Sequence, residues 1–415
     1  MSSHPCRASF TSCFALASSL VVPASAQEGL SVESYVETVL RSHPGARQLT
    51  ALEAAAAAER KAGRVWPDPV VAFTWDKARL LDGPEGTETG WSISQTIPWP
   101  GAFSAGKKAA DRQAEALRAE ATAARWDLEI EARTTFARLL HARSAAGIAR
   151  EAEADAQALK ELTAKRAELG ESREVDRIKT EVEWLREQRT RRALEREADA
   201  AEAILRNLAG EPLPQPLVLS GELPRPLPPP DPEELLARLA RSNPRLLAAR
   251  AVFRREAALA SVARRGRVPD LDVTWFRGEE LDKAANGFEL GIRIPLWGAS
   301  RGQIARAEAA TALAEAGEAR MRLDLTSALE RARQELDVAS AQADILESQI
   351  LPAARRSLEL ARLSYQEGET SLLDLLDAQR TYRETERERL ASRLALAQAL
   401  AEVQGLIGPD FIPGR

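Results

Sequence analysis

Cysteine is all but missing from this sequence. Its 415 residues hold two, Cys6 and Cys13. Both fall in a leader-like N-terminal stretch, so the chain beyond it has no disulfide, no thiol chemistry and no cysteine to lipidate. Histidine and methionine are as scarce. Beyond residue 26 there are only His43, His141 and Met321, which leaves no cluster of imidazole or thioether ligands for a transition metal. A Ser/His/Asp arrangement, a phosphate-cradling glycine loop and a Cys-x-x-Cys pair are also absent, so neither an enzyme nor a bound cofactor is expected. No run of about eighteen apolar residues occurs, which excludes an ordinary transmembrane helix but leaves a transmembrane β-barrel open. A basic excess is lacking too: 57 Lys and Arg face 62 Asp and Glu, a net charge of -5, and nucleic acid is not an expected partner.

What is present begins with an address. Arg7, the apolar run from Phe14 to Val22 and Ala24-Ser25-Ala26 ahead of Gln27 have the charge, apolar core and small-residue ending of a secretory signal, with cleavage expected after Ala26. The composition, 29% charged and 44% hydrophobic, excludes a disordered chain. Helical periodicity over Val32 to Arg64 predicts a first helix, stopped by Trp66-Pro67-Asp68-Pro69. Alternation then predicts two strands, Val70 to Lys77 and Gly90 to Ile97. Val71, Phe73, Trp75, Trp91, Ile93 and Ile97 share one face, and the polar loop Ala78 to Thr89 joins the strands. After Pro98-Trp99-Pro100-Gly101 a proline-free helical pattern runs to about Glu168, roughly 100 Å at about 1.5 Å per residue. Gly170-Glu171-Ser172 interrupts it, and a helix from about Arg173 to Leu208 returns and ends at Gly210. The proline-rich stretch Glu211 to Pro232 reads as a connector.

The second half repeats the first. His43-Pro44 matches Asn243-Pro244, Pro69 matches Pro269 and Thr74-Trp75 matches Thr274-Trp275, all 200 positions apart. Gly90, Pro98 and Gly101 match Gly287, Pro295 and Gly298 at 197, while Gly170 and Asp176 match Gly368 and Asp374 at 198. The changes of offset read as differences in loop length. The repeat predicts strands at Leu271 to Arg277 and Phe288 to Ile294, with Asp272, Thr274, Glu289 and Arg293 on their polar faces. Its long helix ends in a hairpin tip. Leu351, Leu358 and Tyr365 recur every seven residues up to Gly368, and Leu372, Leu375, Leu376 and Tyr382 resume the period beyond it. Glycine supplies the stop, and Thr370 or Ser371 the next N-cap. The organisation expected is a signal at 1–26, a first repeat at 27–210, a connector at 211–232, a second repeat at 233–407 and a tail at 408–415.

Apolar-out, polar-in alternation with aromatics suits a transmembrane barrel, but four strands cannot close one. Either they form a soluble two-hairpin sheet, or several chains pool them, and a cyclic trimer would supply about twelve. The long helices, with dispersed Glu, Arg and Ala faces and few large apolar residues, favour side-by-side assembly into a tube. The fold class expected is mainly α with a small β part. A structural coiled-coil protein of the periplasm that forms no pore is the alternative, and membrane fractionation separates the two.

These residues resemble the TolC-like outer-membrane efflux proteins, the outer membrane factors, over roughly residues 30 to 407. Tyr365, Gly368, Leu372-Leu373-Asp374 and Asp377 at the second tip carry the resemblance, with Gly287 to Pro295 and the stretch GWSISQTIPWPG at Gly90 to Gly101. The WPDP start and IPWPG exit look most like the heavy-metal and cation branch. The resemblance implies a homotrimer in the outer membrane of a Gram-negative cell, with a shared twelve-stranded barrel and a helical tunnel reaching into the periplasm. It implies a periplasmic adaptor and an inner-membrane pump, of the RND type, as partners. Lys77 to Thr89 and Gly278 to Asn286 would face outside, the connector would form part of an equatorial belt, and the tips would lie at the periplasmic opening.

Candidate residues follow, each with a plainer reading beside it. Asp374 and Asp377, with Asp176 in the matching position, are candidates for acidic rings at the constriction, or else carboxylates placed by the helix dipole. Gly170, Glu171, Ser172, Gly368, Glu369 and Thr370 are candidates for adaptor-docking turns, or helix C-caps alone. Trp75, Trp91, Trp275 and Trp297 are candidates for a membrane girdle in contact with outer-membrane lipid, or core tryptophans. Trp126 and Trp184, within helices, are expected to pack.

Overall fold

A computed structural model of the chain describes residues 29–79, 83, 85–170, 172–226, 228, 230–292 and 299–409. The expected leader, Glu171, Arg293 to Gly298 with Trp297 among them, and the tail from residue 410 lie outside the described residues. In chain order the elements are α1 Val32–Ser42, α2 Pro44–Ala62, β1 Val70–Arg79, β2 Glu85–Ile97, α3 Pro100–Glu168 and α4 Glu174–Ala209, then α5 Pro232–Ser242, α6 Pro244–Arg265, β3 Leu271–Glu279, β4 Ala284–Ile292, α7 Ala299–Ile345, a π-helical turn Leu346–Ile350, α8 Leu351–Glu367 and α9 Leu372–Ile407.

The single helix expected over Val32 to Arg64 is two. Pro44 has no N–H to donate and forces the residue before it out of helical geometry, so His43 is extended (φ -62°, ψ 138°) and caps α2 by accepting from the Gly45 N–H at 3.0 Å. Asn243-Pro244 separates α5 from α6 in the same way. There the buried Asn243 accepts from Leu246 N at 2.8 Å and donates to the Leu406 carbonyl at 2.7 Å.

The 69 residues of α3 extend about 100 Å at about 1.5 Å per residue. Large apolar side chains gather in its middle, where Leu128, Phe136 and Leu139 bury Tyr35 and Val39 of α1 and Leu205 of α4. A second cluster joins Leu235 and Leu239 of α5 to Leu325 and Leu329 of α7 and Leu396 and Val403 of α9. Elsewhere the buried positions of α3 are mostly alanine, among them Ala105, Ala109, Ala114, Ala145 and Ala149, which lets helix backbones approach closely. Trp126 packs as expected, its indole N–H donating to the Gly405 carbonyl at 3.1 Å.

Each returning helix stops on a glycine at positive φ. Gly210 ends α4 at φ 73° and Gly408 ends α9 at φ 94°. Both press on the break between the short helices. A Cβ on Gly210 would lie 2.7 Å from the Ser42 carbonyl oxygen, and one on Gly408 2.5 Å from that of Ser242.

The strands form one antiparallel sheet in the order β1-β2-β3-β4. They run further than alternation predicts, because Ala78 and Arg79 pair with Gly86 and Glu85, and Gly278 and Glu279 with Ala285 and Ala284. Ladder bonds are made by backbone and need no apolar side chains. The connections, expected at Ala78 to Thr89 and Gly278 to Asn286, shrink accordingly to the residues around 80–84 and 280–283.

The offset change within the long helices is not a loop difference. Gly298 to Gly368 is one residue longer than Gly101 to Gly170, and no loop interrupts either stretch of described residues. A π turn takes up one extra residue in a helix that otherwise continues, and the Leu346–Ile350 turn sits in the longer one.

Gly210→Ala and Gly408→Ala should each lower stability by about 1–3 kcal/mol, since they add left-handed strain and a clash with backbone. Gly106→Ala, where an added Cβ meets nothing within 4 Å, should be neutral or stabilise by about 0.5–1 kcal/mol. Urea unfolding followed by circular dichroism reads both.

Candidate functional site: an open sheet and two helical tips

Register sorts the sheet into unlike faces. On one lie Val71, Phe73 and Trp75 of β1, Trp91 and Ile93 of β2, Leu271, Val273 and Trp275 of β3, and Phe288, Leu290 and Ile292 of β4. Nothing among the described residues covers it: Phe288 is 76% and Leu290 69% exposed. Phe73 and Trp91 pack across the strands as a tilted pair, with ring centroids 4.8 Å apart and planes at 48°. The opposite face carries hydroxyls and carboxylates, where Ser94 and Thr274 share a 2.8 Å hydrogen bond and Thr96 donates to Asp272 at 2.6 Å. β1 and β4 each have one neighbour, so both edges present unpaired N–H and C=O groups, which water can satisfy but lipid cannot. Trp75, Trp91 and Trp275 all stand exposed on the apolar face. Trp66 and Trp99, which strand alternation does not single out, are also exposed where the first hairpin meets α2 and α3.

The second tip closes as its composition predicts. Gly368 adopts φ 79°, and the N–H groups of Gly368 and Glu369 donate to Tyr365 and Ser364 carbonyls at 3.2 and 2.8 Å; Thr370 N also reaches Ser364, at 3.3 Å. Ser371 caps α9. Its hydroxyl accepts from Asp374 N at 3.3 Å, while the Asp374 carboxylate takes hydrogen bonds from the Ser371 N–H at 3.1 Å and hydroxyl at 2.7 Å. Leu358, Leu372, Leu375 and Leu376 pack beneath with Leu159 of α3. Asp374 and Asp377 are both exposed, three residues apart on α9 and hence on one face.

The first tip turns through Gly170 at φ 77°, with its N–H on the Ala167 carbonyl at 3.0 Å, and Ser172 follows half-buried. Arg173 stands where Ser371 does in the other tip. It offers no side-chain cap, and Asp176 is buried against its guanidinium at 3.1 Å. A Cβ on Gly170 or Gly368 would meet nothing within 4 Å, so handedness rather than crowding within the chain accounts for glycine at both turns.

Between the tips α4 reverses the usual order of helix faces. Asp176, Thr180, Glu183 and Glu187 are buried, whereas Val175, Ile178, Val182 and Leu185 are exposed. Glu183 pairs with Arg380 at 3.1 Å. Glu187 pairs with Arg383 at 3.2 Å and Arg387 at 3.1 Å, the Glu187 and Arg383 side chains being only 9% and 7% exposed. The two sets each repeat at three- and four-residue spacings, but no rule of apolar burial reveals which is inside. Trp184 packs under Lys160, whose ammonium lies 3.8 Å from the ring centre.

Glu187→Ala strands the buried Arg383 guanidinium and should cost about 3 kcal/mol in urea unfolding, with less lost when Arg383 is replaced by Met as well. The Ser371 hydroxyl, and then its backbone N–H, hold the Asp374 carboxyl below its ordinary value. A depressed folded-state pKa stabilises above the unfolded value, so this contribution is full at neutral pH and fades as pH falls through the depressed value. In Ser371→Ala a carbon-detected NMR titration of Asp374 should find its midpoint moved up toward that of an ordinary aspartate.

Residues 235–409 match the family described as Outer membrane efflux protein. The cobalt-zinc-cadmium resistance protein CzcC of Cupriavidus metallidurans is 29% identical over 325 residues, 77% of this chain and 75% of that one. The outer-membrane channel OprN aligns over 91% of this chain and 89% of its own with TM-score 0.75 and 20% identity. The open state of the MtrE outer membrane channel of Neisseria gonorrhoeae aligns over 91% and 89% with TM-score 0.74 and 19% identity. The second half of the chain thus matches the pattern of the outer membrane efflux proteins, and nearly its whole described length has the fold of solved outer-membrane channels.

Proposed function

We propose that the chain is one protomer of a trimeric exit duct in the outer membrane of a Gram-negative cell. The duct conducts substrates passively from a periplasm-spanning pump complex to the exterior. One observation carries this reading: a sheet with an uncovered apolar face and two free edges stands at one end of helices about 100 Å long. Three copies supply about twelve strands, β4 of each pairing with β1 of the next, which removes every edge and leaves a lumen lined by the polar face.

The helices have free edges in the same sense. α4 packs on α3, α3 on α9 and α9 on α8, so the exposed seam Val175, Ile178, Val182, Leu185 at one side and Leu360 and Leu363 of α8 at the other are left for neighbouring copies. A coiled-coil protein of the periplasm without a pore would use such helical seams but has no use for an apolar sheet face. The repeated tips then ring the periplasmic mouth, where Asp374 and Asp377 lie exposed, and the adaptor meets the turns at Gly170 and Gly368. Gating by those carboxylates and docking at those turns both belong to this reading, as does an RND-type pump that supplies the energy. The relative named for cobalt, zinc and cadmium resistance favours cationic cargo, although in a passive duct the choice lies largely with the pump.

The protein should extract from membranes only with detergent, run as a trimer, and form cation-selective pores in planar bilayers. Replacing Asp374 and Asp377 by Asn should reduce cation selectivity and block by polyvalent cations without changing trimer yield. Recovery as a soluble monomer without detergent would overturn the channel, and unaltered selectivity would overturn the acidic ring alone.

A further inference from the structure

Charge is sorted between the two faces of the sheet. On the polar face the charged residues among those described are Asp76, Glu88, Asp272 and Glu289, all acidic. Every described base of the strands, Lys77, Arg79 and Arg277, is on the apolar face, with Glu85 and Glu279.

The register also sorts the apolar face into layers. Trp75 pairs with Thr89 and Trp91 with Arg277, so Trp75, Trp91, Trp275 and, on β4, Leu290 lie on a diagonal that moves one same-face step per strand. The diagonal beside it, away from the hairpin ends, carries Phe73, Ile93, Val273 and Ile292. The diagonal on the other side carries Lys77, Thr89, Arg277 and Phe288, and the one beyond that Arg79, Thr87, Glu279 and Asn286. The opposite diagonals mix kinds: Val71, Trp91 and Glu279 share one. Only the first set separates aliphatic, tryptophan and charged residues.

The size of that step is the one a barrel makes level, and the sorting of residue kinds selects this diagonal over its opposite. Strands tilted by about 45°, spaced about 4.8 Å apart and rising about 3.3 Å per residue, shift the horizontal by about 1.5 residues per strand, and the nearest same-face step is two. In a membrane the diagonals therefore become rings: an aliphatic band, a tryptophan belt, and immediately outside it a ring whose charged members are both cationic. Arg79 in the next ring is already paired, with Glu85 at 2.8 Å. Lys77 and Arg277 are exposed and have no ion-pair partner among the described residues.

We propose that Lys77 and Arg277 form a collar that binds the phosphate groups of anionic lipid headgroups in the leaflet around the hairpin ends. The inference rests on the barrel reading above and adds a lipid partner of stated charge. Their long aliphatic stems cover the rim of the apolar band while the cationic ends reach the headgroups. Arg277 can offer a phosphate two parallel N–H donors and Lys77 a compact ammonium. The tryptophans beneath hold both at interfacial depth.

The test reconstitutes the trimer in vesicles of phosphatidylcholine and phosphatidylglycerol, with one or the other brominated on its acyl chains, and reads quenching of tryptophan fluorescence. The wild type should prefer phosphatidylglycerol by roughly fivefold or more at low salt, as expected for about two interfacial bases per protomer. Lys77→Gln with Arg277→Gln should bring the two lipids to parity, while Lys77→Arg with Arg277→Lys keeps the preference. Equal quenching by both lipids in the wild type, or an undiminished preference in the double Gln variant, would overturn the collar. Absence of quenching by brominated phosphatidylcholine is a separate result that would sink the barrel reading and the collar with it.

Discussion

The backbone at a strand edge sets the terms for the whole molecule. Each unpaired N–H or C=O group needs a partner, water serves in solution, and lipid offers none. A sheet that also turns one apolar face outward is denied the aqueous option, because Phe73, Trp91, Phe288 and Leu290 would stand in water. Neither solvent accepts the isolated protomer. In the proposed assembly, copies of the same four strands would satisfy both demands at once, because pairing β4 with β1 of the next copy would also wrap the polar faces inward.

The helices inherit this arrangement. Cyclic copies joined at the sheet, as proposed, would need helices that continue the ring, and the chain provides long rods, the longest of which, α3, has a seam that is mostly alanine. Such seams bring backbones close but bury little area per residue, so the large apolar side chains concentrate where α1 and α5 brace the middle of the rods. Nearer the tips the interior changes character. Glu183 and Glu187 meet Arg380, Arg383 and Arg387 where a soluble bundle would place leucine. Ion pairs of this kind fix register more than they add stability, and α4 keeps its valine, isoleucine and leucine for the side that faces out of the protomer.

Much of this was legible from residue order. Alternation located both hairpins and the apolar face of each, and Gly368 followed by Thr370 and Ser371 predicted the tip because its turn and cap are local chemistry. The outer ends of the strands were not legible: Ala78 and Arg79 belong to β1 through backbone bonds to Gly86 and Glu85 of β2, and their side chains leave no trace of that pairing. Pro44 does carry the signal for a break in the first helix, but the alanine-rich period passes across it and obscures two rods as one. The faces of α4 were hidden for a deeper reason. Periodicity reports that two stripes exist, and assigning the apolar stripe to the interior assumes that the protomer is the complete structure. Asp374 and Asp377 were identified by spacing, and the capping box explains the first of them by itself.

The π turn at Leu346–Ile350 has a meaning for how such rods change length. One added residue in a straight helix rotates everything beyond it by about 100°, which would swing Leu358 out of its packed position and turn the tip away from its neighbours. Widening a single turn absorbs the residue and leaves the downstream phase intact. Glu347 within the turn is held by Arg393 of α9, so the irregular backbone is tied to its neighbour at the point where it departs from regular pitch. The turn thus works as an expansion joint in a stave: the extra residue is taken up there, while the helix faces above and below it stay in phase.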